Sequence, residues 1–247
     1  MTSAAIYDII GRGYAAYRRP DPRIAARIHA ALGDAASVVN VGAGAGSYEP
    51  ADRRVAAVEP SEVMVRQRRA ESAPAIRATA DALPFRAGAF DASLAILTIH
   101  HWRDWRRGVA EMRRVARQRV VLLTWDTARS GFWLTDEYFP EIVPIDRAMF
   151  PTMEELVDAL GGAEVRPVPV PADCTDGFLG GYWRRPAAYL DPGARGAISV
   201  FARIPDPAPA LARLEADLAD GTWEHRIGAH LPDDELDVGY RLVVAEV

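Results

Sequence analysis

The sequence predicts an α/β fold built on a doubly wound, mostly parallel sheet, and three observations carry that prediction. Short apolar runs of strand length recur at 37–41, 55–58, 75–79, 92–97 and 120–125. Helical patterns separate several of them, an alternation that favours parallel strands joined by crossovers. The first run ends in a cluster of glycines, the punctuation of a buried strand giving way to a tight loop.

Each element has its own local cause. A leader carrying Tyr7, Ile10, Tyr14 and Tyr17 reads as helical. A second helix starts after Pro20, Asp21 and Pro22 and stops at Gly33. Aspartate caps a first turn, and proline at the first helical position loses no hydrogen bond. Trp105, Val109, Met112 and Ala116 recur at helical spacing behind Asp104, a second N-cap. Residues 151–161 read as a helix ending at glycine. Residues 163–170 read as a strand interrupted by Pro167 and Pro169, which suits an edge because proline donates nothing to a ladder. A helix is expected around 208–218, and 240–247 closes the chain as a final strand. With no repeat and no low-complexity linker, a single domain over 1–247 is the economical reading.

Composition narrows the chemistry. Hydrophobic residues make up 49% of the chain, enough for a sizeable core. No run approaches the roughly 20 apolar residues of a membrane span. The first ten residues lack a basic segment followed by an apolar one, so no secretory signal, a cytoplasmic location and no membrane partner are expected. A formal charge of −5 argues against a nucleic-acid partner. The clusters Arg66, Arg68, Arg69 and Arg113, Arg114, Arg117, Arg119 read as solvated faces near helix C-termini. The chain has no lysine, so Schiff-base chemistry is excluded. Its single cysteine, Cys174, excludes an intramolecular disulfide and a cysteine-rich metal site, and no metal is expected.

The most informative segment follows the first strand: Asn40, Val41, Gly42, Ala43, Gly44, Ala45, Gly46, Ser47. Glycine permits positive φ and lets a ligand touch bare backbone. The spacing is G-x-G-x-G, not the G-x-G-x-x-G of dinucleotide sites. Pro50 and the short gap to Val55 leave little room for the helix N-terminus that a pyrophosphate needs. At the end of the second strand stands Glu59, where a carboxylate can accept both hydroxyls of a ribose lying across the strand ends. After the third strand, Asp81 is placed to accept from an adenine amino group. His100, His101 and Trp102 follow the fourth strand.

In this order, the glycine loop, the E-P-S run at 59–61, the D-A-L-P-F run at 81–85, the F-D pair at 90–91 and the H-H-W run at 100–102 resemble the class I S-adenosylmethionine-dependent methyltransferases of the type 11 branch. The likeness is strong over 36–126 and holds in outline elsewhere. It implies S-adenosylmethionine as cofactor and a seven-stranded Rossmann-like sheet whose last strand is antiparallel, with 240–247 beside 163–170. Gly42, Gly44 and Gly46 would flank the methionine part of the cofactor, and Glu59 would bind its ribose. Asp81 and Ala82 would bracket the adenine, Pro60 and Met64 would pack near it, and Leu97 and Thr98 would line the sulfonium side. Asn40 stands where the family often has an acid; it can accept a hydrogen bond but offers no charge to the cofactor's ammonium. The connection from the glycine loop to the second strand is also shorter than the family's. Within the domain, 1–35 would be a helical lid, 36–126 the cofactor-binding core, and 127–150 with 171–222 substrate-cap insertions.

The expected function is methyl transfer to a small, hydrophobic or aromatic molecule by in-line displacement. The alternatives are a cofactor-binding protein that transfers no methyl group, cyclase-like or regulatory, and a nicotinamide oxidoreductase, which the loop spacing opposes. If a base is needed, His101 and His100 are the candidates among five histidines, since only they follow a strand at the ligand edge. The competing reading packs both rings structurally. Tyr7 and Tyr17 are the candidate cofactor lid, or else anchors of the leader. Phe132, Trp133, Tyr138, Phe139, Phe178, Tyr182, Trp183 and Tyr189 either wall a substrate pocket or form the core of an added layer. A monomer or homodimer is expected.

Overall fold

The computed structural model describes residues 13–247. A short helix, α1 (Tyr14–Tyr17), leads to α2 (Pro22–Ala31). Asp21 caps α2 by accepting from the Arg23 amide at 2.9 Å, with Pro22 in the first turn. Gly33, just past the last turn, adopts φ +58°, the left-handed stop that glycine makes cheaply. One face of α2 buries Ile24, Ile28 and Ala31.

Strand β1 (Ser37–Val41) is buried along its whole length, because it has parallel partners on both sides. These are β2 (Arg54–Val58) and β4 (Phe90–Ile96). Beyond β2 lies β3 (Ala75–Ile76), only two residues long where the sequence predicts five. Helix α3 (Glu62–Arg66) follows β2 behind its cap Ser61, and α4 (Trp105–Val115) follows β4 behind Asp104. Strand β5 (Ala116–Trp125) continues directly from α4. The chain then runs through α5 (Ile142–Arg147) and α6 (Met153–Ala159) to β6 (Glu164–Pro167), and ends in β7 (Tyr240–Glu246).

The sheet order is β3-β2-β1-β4-β5-β7-β6. Only β7 is antiparallel, slotted between β5 and the edge strand β6. The edge expected from the prolines is there. Pro167 ends β6, and after Pro169 the chain turns away to pair Val170 and Pro171 with Glu235 and Leu236 in a separate two-stranded ladder. The crossovers from β1 to β2 and from β3 to β4 are made by turns, not helices.

Alternation along the strands divides the core. Val38, Leu94, Val121 and Leu123 face one side with Ile24 and Ile28. Val39, Ala95, Val120 and Leu122 face the other with Val109 and Met112 of α4 and Leu156 of α6. The first side also carries the aromatic residues from 132 to 223. Trp133 meets Tyr189 at 5.8 Å and Trp223 at 5.3 Å, and Phe139 meets Phe201 at 5.2 Å. Phe132, Trp133, Tyr138, Phe139, Trp183 and Tyr189 are therefore interior to this layer. Among the described residues, no helix is long and apolar enough to cross a membrane.

Candidate functional site

The strand order reverses between β1 and β4, and the carboxyl ends of parallel strands flanking such a point leave a crevice. Here the crevice is a cleft of about 290 Å³. The glycine loop forms its floor. Gly42 and Ala43 donate to the Val58 carbonyl at 2.8 and 3.0 Å, so β1 stays stitched to β2 as it turns. Gly42 and Gly44 adopt φ of +70° and +51°. A Cβ on Gly42 would collide with the Thr98 hydroxyl at the end of β4. Gly42→Ala is accordingly expected to cost roughly 2–4 kcal/mol, combining left-handed strain with overpacking. Urea unfolding checks this, and a loss below about 0.5 kcal/mol would contradict the packing argument.

Glu59 sits at the end of β2, 6% exposed. Its Oε2 accepts from the Gly44 amide at 2.8 Å and its Oε1 from the Ser61 amide at 2.9 Å. One amide comes from the glycine loop and the other from the turn that opens α3, so two backbone elements fix the carboxylate at the cleft wall. Pro60, Met64, Asp81, Leu97, Thr98 and His101 line the same cleft. The Thr79 hydroxyl, bonding to Asp81, holds that carboxyl below its ordinary range, assisted by Arg107 and Arg103. Leu97 has φ +49°, a conformation that costs a side-chain-bearing residue about 1–2 kcal/mol. Its amide donates to the Leu123 carbonyl at 2.8 Å, which holds the turn in place.

Residues 39–124 match the family model described as a methyltransferase domain. A solved structure assigned as a methyltransferase from an antibiotic biosynthesis pathway of Anabaena variabilis is 33% identical, over 94% of this chain and 99% of that one, with a TM-score of 0.84. The chain belongs to the class I S-adenosylmethionine-dependent methyltransferases, type 11 branch. Two more distant structures share its fold. An S-adenosylmethionine-dependent methyltransferase of Thermotoga maritima is 22% identical, over 67% of this chain and 85% of its own, at a TM-score of 0.51. The cyclase SpnF is 16% identical, over 100% of this chain and 97% of its own, at 0.57. No curated protein sequence matches the chain.

Several residues expected in the site of this methyltransferase lie elsewhere. Gly46, at φ +93°, faces Ser72, whose hydroxyl a Cβ would meet at 2.9 Å, on the outer side of the loop. Ala82 is exposed, its amide turned to the Thr79 carbonyl at 3.2 Å. Tyr17 donates its hydroxyl to Asp191 and lies against Gly193, so it anchors the leader to the 191–193 segment. Tyr7 lies outside the described residues. Among the described residues, the leader ring at the cleft is Tyr14, whose hydroxyl accepts from Arg18 at 2.6 Å. Burial raises the Tyr14 phenol, with the Asp176 and Glu59 carboxylates adding to it against the opposing Arg18 charge. Trp102 and Arg103 also line the cleft. Trp102 ends the H-H-W run, Arg103 follows it, and Tyr14 shares the leader's tyrosine spacing, so the signal was present without the choice among neighbours.

Asn40 opens onto a recess beside the glycine loop and donates to Glu49 at 3.1 Å. Glu49 is paired with Arg68 at 2.7 Å, with both side chains under 10% exposed. Arg68 also donates to the Gly44 carbonyl at 3.1 Å, clamping the loop from outside. The solvated-face reading therefore holds for Arg66 and Arg69, 76% and 72% exposed, and fails for Arg68. An acid thus stands beside Asn40, but it is paired with Arg68.

The two histidines separate. His101 lines the cleft, while His100 lines a second chamber behind it. Their rings lie 3.8 Å apart, and His100 stacks on Phe150 at 4.1 Å. Burial, helped by the Arg203 and Arg18 charges, lowers His101 to about 3. Burial and His101 hold His100 well below its ordinary value. Both rings are neutral at physiological pH, poor proton acceptors but competent hydrogen-bonding groups.

Proposed function

We propose that this methyltransferase transfers the methyl group of S-adenosylmethionine to a small, hydrophobic or aromatic molecule by in-line displacement. The observation that carries the reading is Glu59: a buried carboxylate, each oxygen fixed by one backbone amide, at the edge where the sheet order reverses. A carboxylate in that place suits a vicinal diol, and the bare backbone at Gly42 and Gly44 suits an amino-acid tail. These residues fit the cofactor of the family. Glu59 would hold the ribose hydroxyls, Asp81 the adenine amino group, and Pro60 with Met64 the ring faces. Leu97 and Thr98 would face the sulfonium.

When bound, the cofactor supplies a methyl group already activated on a positively charged sulfur. The chain then needs to align an acceptor and exclude water, and good alignment contributes roughly 7–11 kcal/mol. Tyr14 and Trp102 close the cleft from above and beside, and neutral His101 offers a hydrogen bond without placing a second cation near the sulfur. The aromatic side chains Trp125, Phe150, Phe178 and Tyr240, behind Leu97, favour an apolar acceptor body. Calorimetry with S-adenosylmethionine and S-adenosylhomocysteine tests the reading: micromolar binding of either is expected, and absence of both would overturn it. Mass spectrometry of ligands retained through purification identifies the acceptor class directly.

A further inference from the structure

Behind Leu97 lies a second chamber, about 60 Å³, walled by the apolar side chains just named together with Ile198 and Val200. Leu97 borders both this chamber and the cleft, so the two spaces meet at the strained residue that follows β4. The chamber is small beside the cleft, so it takes only part of an acceptor's apolar body, with the rest reaching past Leu97 toward the cleft.

Its polar lining is sparse. Arg18 is committed to Asp176 at 2.6 Å and to the Tyr14 hydroxyl. The Tyr240 hydroxyl accepts from the Gly180 amide at 3.1 Å. Beside the half-buried Ser199 hydroxyl and the O–H of Tyr240, two buried groups have spare accepting capacity. His100 Nδ1 is buried with no hydrogen-bond partner among the described residues. Asp146, near the end of α5, is 5% exposed. Its backbone carbonyl accepts from Phe150, fixing the ring that stacks on His100, but its carboxylate accepts nothing among the described residues. A carboxyl that lines the chamber and takes no donor from the described residues can take one from a ligand there.

We propose that this chamber receives the acceptor and that Asp146 is its proton acceptor, the acceptor being a compact aromatic compound bearing a neutral hydroxyl. The inference rests on the methyl-transfer reading above and adds the acceptor class and the base. A hydroxyl suits the step better than an ammonium, because its oxygen keeps a lone pair for the methyl carbon while it donates to the carboxylate, whereas an ammonium nitrogen has no lone pair. In the step, the acceptor O–H bond breaks and its proton passes to a carboxylate oxygen of Asp146. The freed oxygen pair forms the bond to the methyl carbon, and the carbon–sulfur pair stays on sulfur. The protonated carboxyl returns its proton to solvent when the product leaves.

The electrostatics agree with this role. Burial raises the Asp146 carboxyl to about 7, opposed by Arg203 from the 199–203 turn. The other charged or titratable groups lining the chamber are Arg18, already paired, neutral His100, and Tyr240, whose phenol burial raises. A base near neutrality is matched to its task, whereas the two histidines are too weakly basic to take a proton.

Phenol and toluene, which match in shape and differ in the hydroxyl, provide the test on protein saturated with S-adenosylhomocysteine. A phenol O–H donates to the ionised carboxylate, and phenol itself stays neutral below about pH 10. Its affinity should therefore rise about tenfold from pH 6 to pH 8 as Asp146 ionises. Toluene should bind without pH dependence. In Asp146→Asn, with folding checked by circular dichroism, the phenol profile should become flat. Phenol binding that is flat in the wild type, or no tighter than toluene, overturns the proposal even if the variant fails to fold. So does a slope that survives in a folded Asp146→Asn. If S-adenosylhomocysteine binds and both probes are excluded, the chamber assignment falls and the cofactor reading stands. If S-adenosylhomocysteine does not bind, both fall.

Discussion

Glu59→Ala is expected to weaken binding of S-adenosylmethionine by at least about 100-fold, since hydrogen bonds to a charged group contribute roughly 1.5–3 kcal/mol each and a diol forms two. The variant also strips the Gly44 and Ser61 amides of the acceptor they share, loosening the glycine loop where the ligand would rest on it. Glu59→Gln should fall between wild type and alanine. Its amide keeps one acceptor oxygen but turns an NH2 toward a backbone N–H, so one of the two amides loses its bond. Calorimetry with circular dichroism as a folding control measures both. An alanine variant that folds and binds within about threefold of wild type would remove the central support of the proposed function.

Asp176→Ala is the substitution expected to cost most in stability. Asp176 is fully buried and accepts from Arg18 at 2.6 Å and from the Tyr48 hydroxyl at 2.8 Å. The Gly177 amide donates to the Tyr17 carbonyl alongside, and the Thr175 amide donates to Asp21. This cluster fastens the leader, and with it Tyr14, to the segment around residue 175. Removing the acid takes the Asp176 carboxylate away from a largely buried guanidinium, and breaking such a pair typically costs about 3–5 kcal/mol. For a chain of this size each kcal/mol corresponds to about 2–4 °C, so the melting temperature should drop by roughly 10 °C. Differential scanning calorimetry checks it, and a shift under about 2 °C would show that the cluster is not what secures the leader. Asp176→Asn, which keeps a carbonyl for one donor, should lose less.

How far the sequence reached can be followed residue by residue. Asp21, Asp104 and Gly33 mark helix ends through bonds within a few residues, and all three act as their chemistry predicts. Edge placement of 163–170 was readable from two prolines, although the exit to a separate ladder was not. Glu59, Met64, Asp81, Leu97 and Thr98 reach the cleft because they end or closely follow strands of a parallel sheet, and that edge is where such a sheet leaves a crevice. Choices within a run failed more often. Tyr17 and Tyr14 look alike in sequence, and only the positions of Asp191 and the cleft separate them. Arg66, Arg68 and Arg69 look alike too, yet one of them is sealed against Glu49.

Strand and helix periodicity, capping and the glycine spacing are local properties, so the chain order alone determined the sheet, the position of the glycine loop and the family. Desolvation is not local. Whether Asp146 is an ordinary surface carboxylate or a base near neutrality depends on how residues 97, 100, 150, 198 and 240 close around it. The same holds for the neutrality of His100 and His101 and for the pairing of Glu49 with Arg68. Those properties arise where distant segments exclude water together, and only the tertiary structure decided them.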